Sequence, residues 1–430
     1  MLNPRIFSTK KRKKASRFFR VLGPGLITGA ADDDPSGIAT YSQAGATYGF
    51  GQLWSITLCL PLMIAVQETC ARIGSVTGKG LIRVTSELYP KKILYSVVTL
   101  VVIANVINIG ADIAAVGAAL NLLIPLPIFA LSTTFTIIVL LLEIFVGYHA
   151  YSKFLKILAL SLLAYVFTAI IVQPNWSEVI KSLLIPRITW ETNYWYVLVA
   201  LLGTTISPYM FFWQATEEVE EIKYAEKSGT DRRSLKMIRR DNSIGMTISQ
   251  LASFFMIVTT AVVLHGKGVG EIKSAADAAS ALEPLVKSFP NAGLYAKLLF
   301  AIGIIGMGLL AIPVLAGSVA YAISDTRSWN QGLDNKFSQA KQFYGVIIFA
   351  TAVGWIINVI GINPIQALVF AAVINGLVSI PLIFLISRIS KNKAVMGTNT
   401  GGPLSQTMLA AAFVITLSAG AFLMGSLLGL

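Results

Sequence analysis

The residues with the most pronounced chemistry stand together near the start of the chain. Asp32, Asp33 and Asp34 run into Pro35, Ser36 and Gly37 within the stretch GAADDDPSGIAT, residues 29–40, with apolar sequence on both sides. A charge at the centre of a bilayer costs about 2.5–3.5 kcal/mol even on insertion scales. Three adjacent carboxylates in such a setting need water, a cation or polar partners. Pro35 lacks a backbone donor and disfavours helix at the residue before it, so the chain unwinds there. Unwound carbonyls beside carboxylates, at the negative end of a half-helix dipole, form a cation site. The competing reading makes one acid a helix cap and another a vestibule residue, with no ion. The density of carboxylates favours cation binding near the membrane midplane by this cluster, Asp32, Asp33 and Asp34.

A second interruption lies in YVLVALLGTTISPYMFFWQATEEVEE, where Pro208 follows Thr204, Thr205 and Ser207. Taken alone, Pro208 is equally well read as a tolerated kink. Asp112 is the one acid in a third apolar run; it lines an ion path or pairs with a nearby Arg or Lys. Glu68, Gln67 and Glu143 sit late in their runs and read as interface anchors or gate groups. The acids Glu217, Glu218, Glu220 and Glu221 read as solvated helix surface, with a funnel for cations as the alternative. Cys59 and Cys70, eleven residues apart, would stand roughly 16 Å apart on a helix, beyond disulfide reach. His149 and His265 have no metal-ligand spacing around them, and there is no zinc or haem signature.

The elements that carry these residues follow from composition. The 430 residues are 55% hydrophobic and only 13% charged, with a mean hydropathy of +0.71; a soluble chain carries about 25% charged residues. The fold class is an all-α polytopic membrane protein. Apolar runs predict eleven spans, near 20–49, 52–74, 93–122, 128–147, 154–173, 195–216, 242–265, 293–324, 342–360, 364–387 and 404–428, with a surface helix in 270–290. Broken spans in positions one and six are five helices apart. That is the pattern of two five-helix halves related by inverted topology, 20–173 and 195–387, followed by an eleventh helix, 404–428. Residues 1–19 read as a retained basic tail; the apolar run behind them is too long for a signal peptide.

Charge placement gives the direction. With a cytoplasmic N-terminus, 28 Lys and Arg fall inside and six outside, at Lys181, Arg187, Lys267, Lys273, Lys287 and Lys297. This positive-inside split puts the C-terminus outside in a multi-pass cell-membrane protein. It also accounts for the net charge of +13 through anionic lipid rather than nucleic acid. No nucleophile–base pair, phosphate loop or cofactor motif marks an enzyme, and no obligate protein partner is evident.

GPGLITGAADDDPSGIATYSQAGATYGF resembles the first helix of the NRAMP divalent-metal transporters, without a gap from Gly23 to Phe50. QETCARIGSVTGKGL and NIGADIAAVGAALNLL resemble the second and third helices, and TTISPYMFFWQ falls where the family has its MPH motif in helix six. The resemblance implies a LeuT-type inverted-repeat fold, transport by alternating access, and a metal site. The family's metal-binding aspartate matches Asp34. Its asparagine ligand falls on Gly37, its methionine on Ser207, and its carbonyl ligand on Thr204. The helix-six histidines fall on Tyr209 and Gln214, and the glutamate after Asp112 on Ala115.

These departures exchange sulfur and imidazole for oxygen. Thioether suits softer transition metals, whereas carboxylate, carbonyl and hydroxyl suit hard ions. Mg²⁺ keeps several waters and is held by one or two carboxylates. The expectation is a carrier of partly hydrated Mg²⁺, weakly or not proton-coupled, resembling the NRAMP-related magnesium branch, with selectivity set by oxygen or space at Gly37, Thr204 and Ser207. The alternatives are a proton-coupled Mn²⁺/Fe²⁺ transporter and an organic-solute symporter on the same fold. A receptor role would leave two costly helix breaks without flux.

Overall fold

The computed structural model describes residue 29 and residues 32–146, 159–225, 232–333 and 335–429. The basic tail, the first half of span one and His149 lie outside the described residues. Every regular element among those described is helical. In chain order the helices are α1 Pro35–Tyr48, α2 Trp54–Thr77, α3 Leu81–Leu88, α4 Lys91–Asn121, α5 Ile128–Phe145 and α6 Leu163–Val172. There follow α7 Trp176–Leu184, α8 Thr192–Thr205, α9 Pro208–Ala225, α10 Arg232–Val263, α11 Ala275–Ser280 and α12 Glu283–Val286. The last are α13 Ala292–Arg327, α14 Lys341–Ile357, α15 Pro364–Lys391, α16 Lys393–Met396 and α17 Pro403–Leu427.

Nine stretches among the described residues are long and apolar enough to cross a membrane. They coincide with nine of the eleven predicted spans. Spans one and five enter as α1 and α6, their described portions. The mixed-polarity stretch before span eight forms the short helices α11 and α12, as its composition predicts.

Both predicted breaks are present. Span one stops at Asp33 and Asp34 and restarts at Pro35. Asp34 is the N-cap of α1, with φ −61° and ψ 172°, and Pro35 takes the first turn, where a missing N–H costs nothing. Span six stops after Thr205 and restarts at Pro208. The hydroxyl of Ser207 donates back to the carbonyls of Gly203 (2.8 Å) and Thr204 (2.7 Å), which satisfies oxygens the break would strand. Tyr41 of α1 and Thr205 of α8 share a hydroxyl hydrogen bond of 2.9 Å, so the two broken spans are tied to each other beside their breaks.

Around them α4 packs on α13 and α15, α8 on α15, α9 on α2, and α10 on α1. Lipid gives no hydrophobic drive between helices, so close approach through small residues carries the packing. At Gly203 a methyl group would overlap the Ala372 carbonyl, and at Gly45 it would stand 2.5 Å from the Ile257 carbonyl. These two contacts seat α8 on α15 and α1 on α10, and so fix where the breaks meet. Cys59 and Cys70 are free and buried, as their spacing predicts.

Candidate metal centre

The centre is built around the Asp34 carboxylate, which is 1% exposed. One oxygen, Oδ1, accepts from Ser36 Oγ at 2.6 Å and from the Gly37 amide at 2.7 Å. Those bonds belong to the helix cap and hold the carboxylate in one orientation. The other oxygen, Oδ2, faces across to span three, where Asn108 Nδ2 donates at 2.9 Å. Tyr209 Oη of α9 approaches the same oxygen at 3.5 Å, a long contact. Asp34 thus has one oxygen committed to its own helix and one presented to the space between spans one, three and six.

That space is lined by oxygen atoms without partners. Thr204 Oγ1, Asn108 Oδ1 and both Asp112 carboxylate oxygens are buried and make no hydrogen bond. Asp112 lies near the Asp34 carboxylate and the Ser36 backbone. Among the described residues no Arg or Lys forms an ion pair with it. Among the described residues no group of three or more His, Cys, Asp or Glu side chains could hold a metal ion. The chemistry on offer is one carboxylate supplemented by neutral oxygens, with Asp112 behind it.

Gly37 does not simply leave room. A β-carbon there would stand 3.1 Å from Thr204 Oγ1, 3.3 Å from the Asp32 carbonyl and 3.4 Å from Tyr41. The missing side chain is replaced by the Thr204 hydroxyl, which lies against the bare Cα. Ser207 lies at the break as expected, with its proton turned back to its own helix.

The three aspartates diverge. Asp32 Oδ2 accepts from Ser249 Oγ at 2.8 Å, and Asp33 Oδ1 accepts from Ser249 and Ser253, each at 3.3 Å. Both therefore face α10 rather than joining Asp34, and hydroxyl donors on span seven are what make the acidic run tolerable. Gln214 lies further along α9 and donates to Glu218 at 3.0 Å. Glu217 and Glu218 are 5% and 4% exposed, so half of the acidic run is buried instead of solvated. Glu220 accepts from Tyr321 at 2.8 Å. Glu68 forms an ion pair with Arg72 at 3.3 Å.

Sequence reasoning missed Asn108, Ser249 and Ser253. The signal for Asn108 was present: it stands four residues before Asp112 in an apolar helix, hence on the same face. The serines carried no signal, because Ser is common in membrane helices.

The sequence profile described as natural resistance-associated macrophage protein-like, Nramp, matches residues 25–425. The chain belongs to the Nramp family. Among its relatives, the divalent metal cation transporter MntH of Yersinia pestis (strain Pestoides F) is 28% identical over 332 residues, 74% of this chain and 76% of that one. MntH of Caldanaerobacter subterraneus is 25% identical over 414 residues, 94% of this chain and 92% of its own. The fold is that of the Eremococcus coleocola manganese transporter, solved with an aromatic bis-isothiourea substituted compound (TM-score 0.73, 16% identity, 95% of this chain and 87% of that one). It is shared more distantly by MhsT in complex with L-phenylalanine (TM-score 0.61, 11% identity, 93% and 97% coverage). The Nramp fold with its LeuT-type inverted repeats accounts for the paired breaks in spans one and six.

Two cavities lie toward opposite ends of the spans of this Nramp chain. One of about 730 Å³ is lined by Gln43, Gly110, Ala111, Asn193 and Glu271, and reaches α4 within one turn of Asn108 and Asp112. The other, about 630 Å³, lies between Gly80, Thr216, Glu220, Asp325 and Gln331. Asp34 lines neither.

Proposed function

We propose that this chain is a secondary transporter that carries a divalent metal cation across the membrane by alternating access, with Asp34 as the charged ligand. The observation that carries this reading is the Asp34 carboxylate at the meeting of two helix breaks, with one oxygen presented to buried, unpartnered neutral oxygens. A cation bound there would satisfy them together. A cavity that reaches α4 within a turn of the buried centre suits alternating access. The names of the MntH relatives and of the manganese transporter support divalent metal as the substrate class. The N-terminus is placed in the cytoplasm on the Lys and Arg count, with the first repeat in 20–173 and the second in 195–387.

Within that class we favour Mg²⁺. The groups that surround Asp34 are hydroxyl, amide and phenol, and the family's thioether position is Ser207. Hard oxygen donors select hard ions, and Mg²⁺ tolerates a site with one carboxylate because it retains water. The relatives' names favour Mn²⁺ as the second reading. An organic anion is disfavoured, because Asp34 and Asp112 would repel a substrate carboxylate.

We further propose weak or absent proton coupling. Imidazole is the side chain that changes charge near neutral pH, and the two helix-six positions hold Tyr209 and Gln214. A divalent ion entering a negative cell gains about 4.6 kcal/mol per 100 mV, twice the single-charge value, so coupling is not needed energetically. Uptake of Mg²⁺, Mn²⁺, Ca²⁺ and Co²⁺ into proteoliposomes carrying a pH-sensitive dye tests both points. Mg²⁺ uptake without lumenal acidification supports the reading; Mn²⁺ uptake with acidification and no Mg²⁺ uptake overturns it.

A further inference from the structure

We propose that Asn108 of span three supplies the amide oxygen that coordinates the transported cation beside Asp34, in place of the side chain absent at Gly37. The inference rests on the reading of Asp34 as the ion's carboxylate ligand.

Gly37 offers no amide, and the Thr204 hydroxyl fills the space against its Cα. An amide nevertheless reaches the centre, from a different helix. Asn108 is fully buried on α4, and its Nδ2 lies 2.9 Å from Asp34 Oδ2. Its carbonyl oxygen is buried and accepts from nothing. A buried amide that uses one end on a carboxylate and leaves the other unpaired has coordination capacity to spare.

The spacing fits a small hard cation. Octahedral Mg²⁺ holds its ligands at about 2.0–2.1 Å, which places neighbouring ligand oxygens about 2.9 Å apart. The amide nitrogen already stands at that separation from Asp34 Oδ2. A half-turn of the carboxamide exchanges nitrogen for oxygen without changing the volume occupied. It converts a hydrogen-bonded pair into two adjacent ligands. Thr204 Oγ1, also buried and unpartnered, then faces the same ion from span six. The consequence is a site held by spans one, three and six, with Asp112 one turn along α4 from the new ligand.

The test uses the full-length chain purified in detergent, titrated calorimetrically with Mg²⁺ and with Mn²⁺. Asn108→Leu removes both ends of the amide at similar volume and is expected to weaken Mg²⁺ binding at least about tenfold, while Asp34→Ala abolishes it. Asn108→Asp keeps an oxygen ligand and is expected to bind Mg²⁺ as tightly as the unmutated chain or tighter, with a melting temperature that rises on adding Mg²⁺. Were Asn108 only a donor that orients Asp34, the same change would place like charges together and lose binding. Gly37→Asn combined with Asn108→Leu returns an amide from span one and is expected to regain part of the affinity. Affinity unchanged in Asn108→Leu, or lost in a folded Asn108→Asp, with Asp34→Ala inactive, overturns this proposal and leaves Asp34 standing. Normal binding by Asp34→Ala overturns both.

Discussion

Converting the centre toward sulfur and amide chemistry should change which metal it carries, and the structure sets what that conversion costs. Gly37→Asn adds a β-carbon 3.1 Å from Thr204 Oγ1, tighter than ordinary contact. The hydroxyl makes no hydrogen bond and sits on a side chain that can turn, but the Asp32 carbonyl at 3.3 Å is backbone and cannot turn aside. The cost therefore falls within the roughly 1–3 kcal/mol for overpacking. Replacing the helical glycine by asparagine, itself a modest helix former, returns only about 0.3 kcal/mol. Ser207→Met is harder. It strands the Gly203 and Thr204 carbonyls that Ser207 now satisfies, at about 1–3 kcal/mol for a buried unpaired group, partly relieved by the adaptable thioether chain. The double variant should stay folded with a melting temperature lowered by several degrees. The assay is competitive uptake in proteoliposomes. The ratio of Mn²⁺ or Cd²⁺ to Mg²⁺ transport should rise at least about tenfold, equivalent to about 1.4 kcal/mol of differential binding. A folded double variant whose ratio stays within about twofold would refute the assignment of selectivity to these positions.

Three further outcomes are expected. Asp33→Asn keeps its contacts with Ser249 and Ser253 and should reduce uptake less than Asp34→Ala; equal loss in both would show that the three acids act as one site. Asp112→Asn should leave Mg²⁺ uptake independent of external pH between about 5.5 and 7.5, and a metal-dependent acidification that this change abolishes would return the chain to the coupled reading. Gly203→Ile, which drives a side chain into the Ala372 carbonyl of α15, should cost more than about 3 kcal/mol and appear as lost monodispersity on size exclusion, whereas a stable variant would show that the α8–α15 contact can relax.

Much of the architecture was legible because lipid imposes a simple rule. Long apolar runs must be helices, and proline beside a cluster of polar residues marked the two breaks, whereas Pro61, Pro313 and Pro381, in purely apolar surroundings, lie inside continuous helices. The directions of the acids could not. Asp32, Asp33 and Asp34 are consecutive, yet two face Ser249 and Ser253 of α10 while one faces Asn108 of α4. Which way each points depends on dihedral angles in an unwound segment, where no periodicity fixes the register. Glu217 and Glu218 were misread for a related reason: an acidic run at a helix end looks solvated until α13 and the loop after it cover one face. Asn108 sat in plain view on the Asp112 face. A sequence pattern that looks for an asparagine on span one does not point to an asparagine on span three that reaches the same carboxylate.

In the proposed function Asp34 holds a divalent cation which this chain carries across the membrane. The most direct measurement compares the unmutated protein with Asp34→Ala in proteoliposomes under an imposed inside-negative potential, with Mg²⁺ uptake followed by a lumenal indicator and folding checked by melting temperature. Saturable uptake driven by the potential is expected in the unmutated protein, and none in a folded Asp34→Ala. Uptake by Asp34→Ala at a rate near that of the unmutated chain would contradict it.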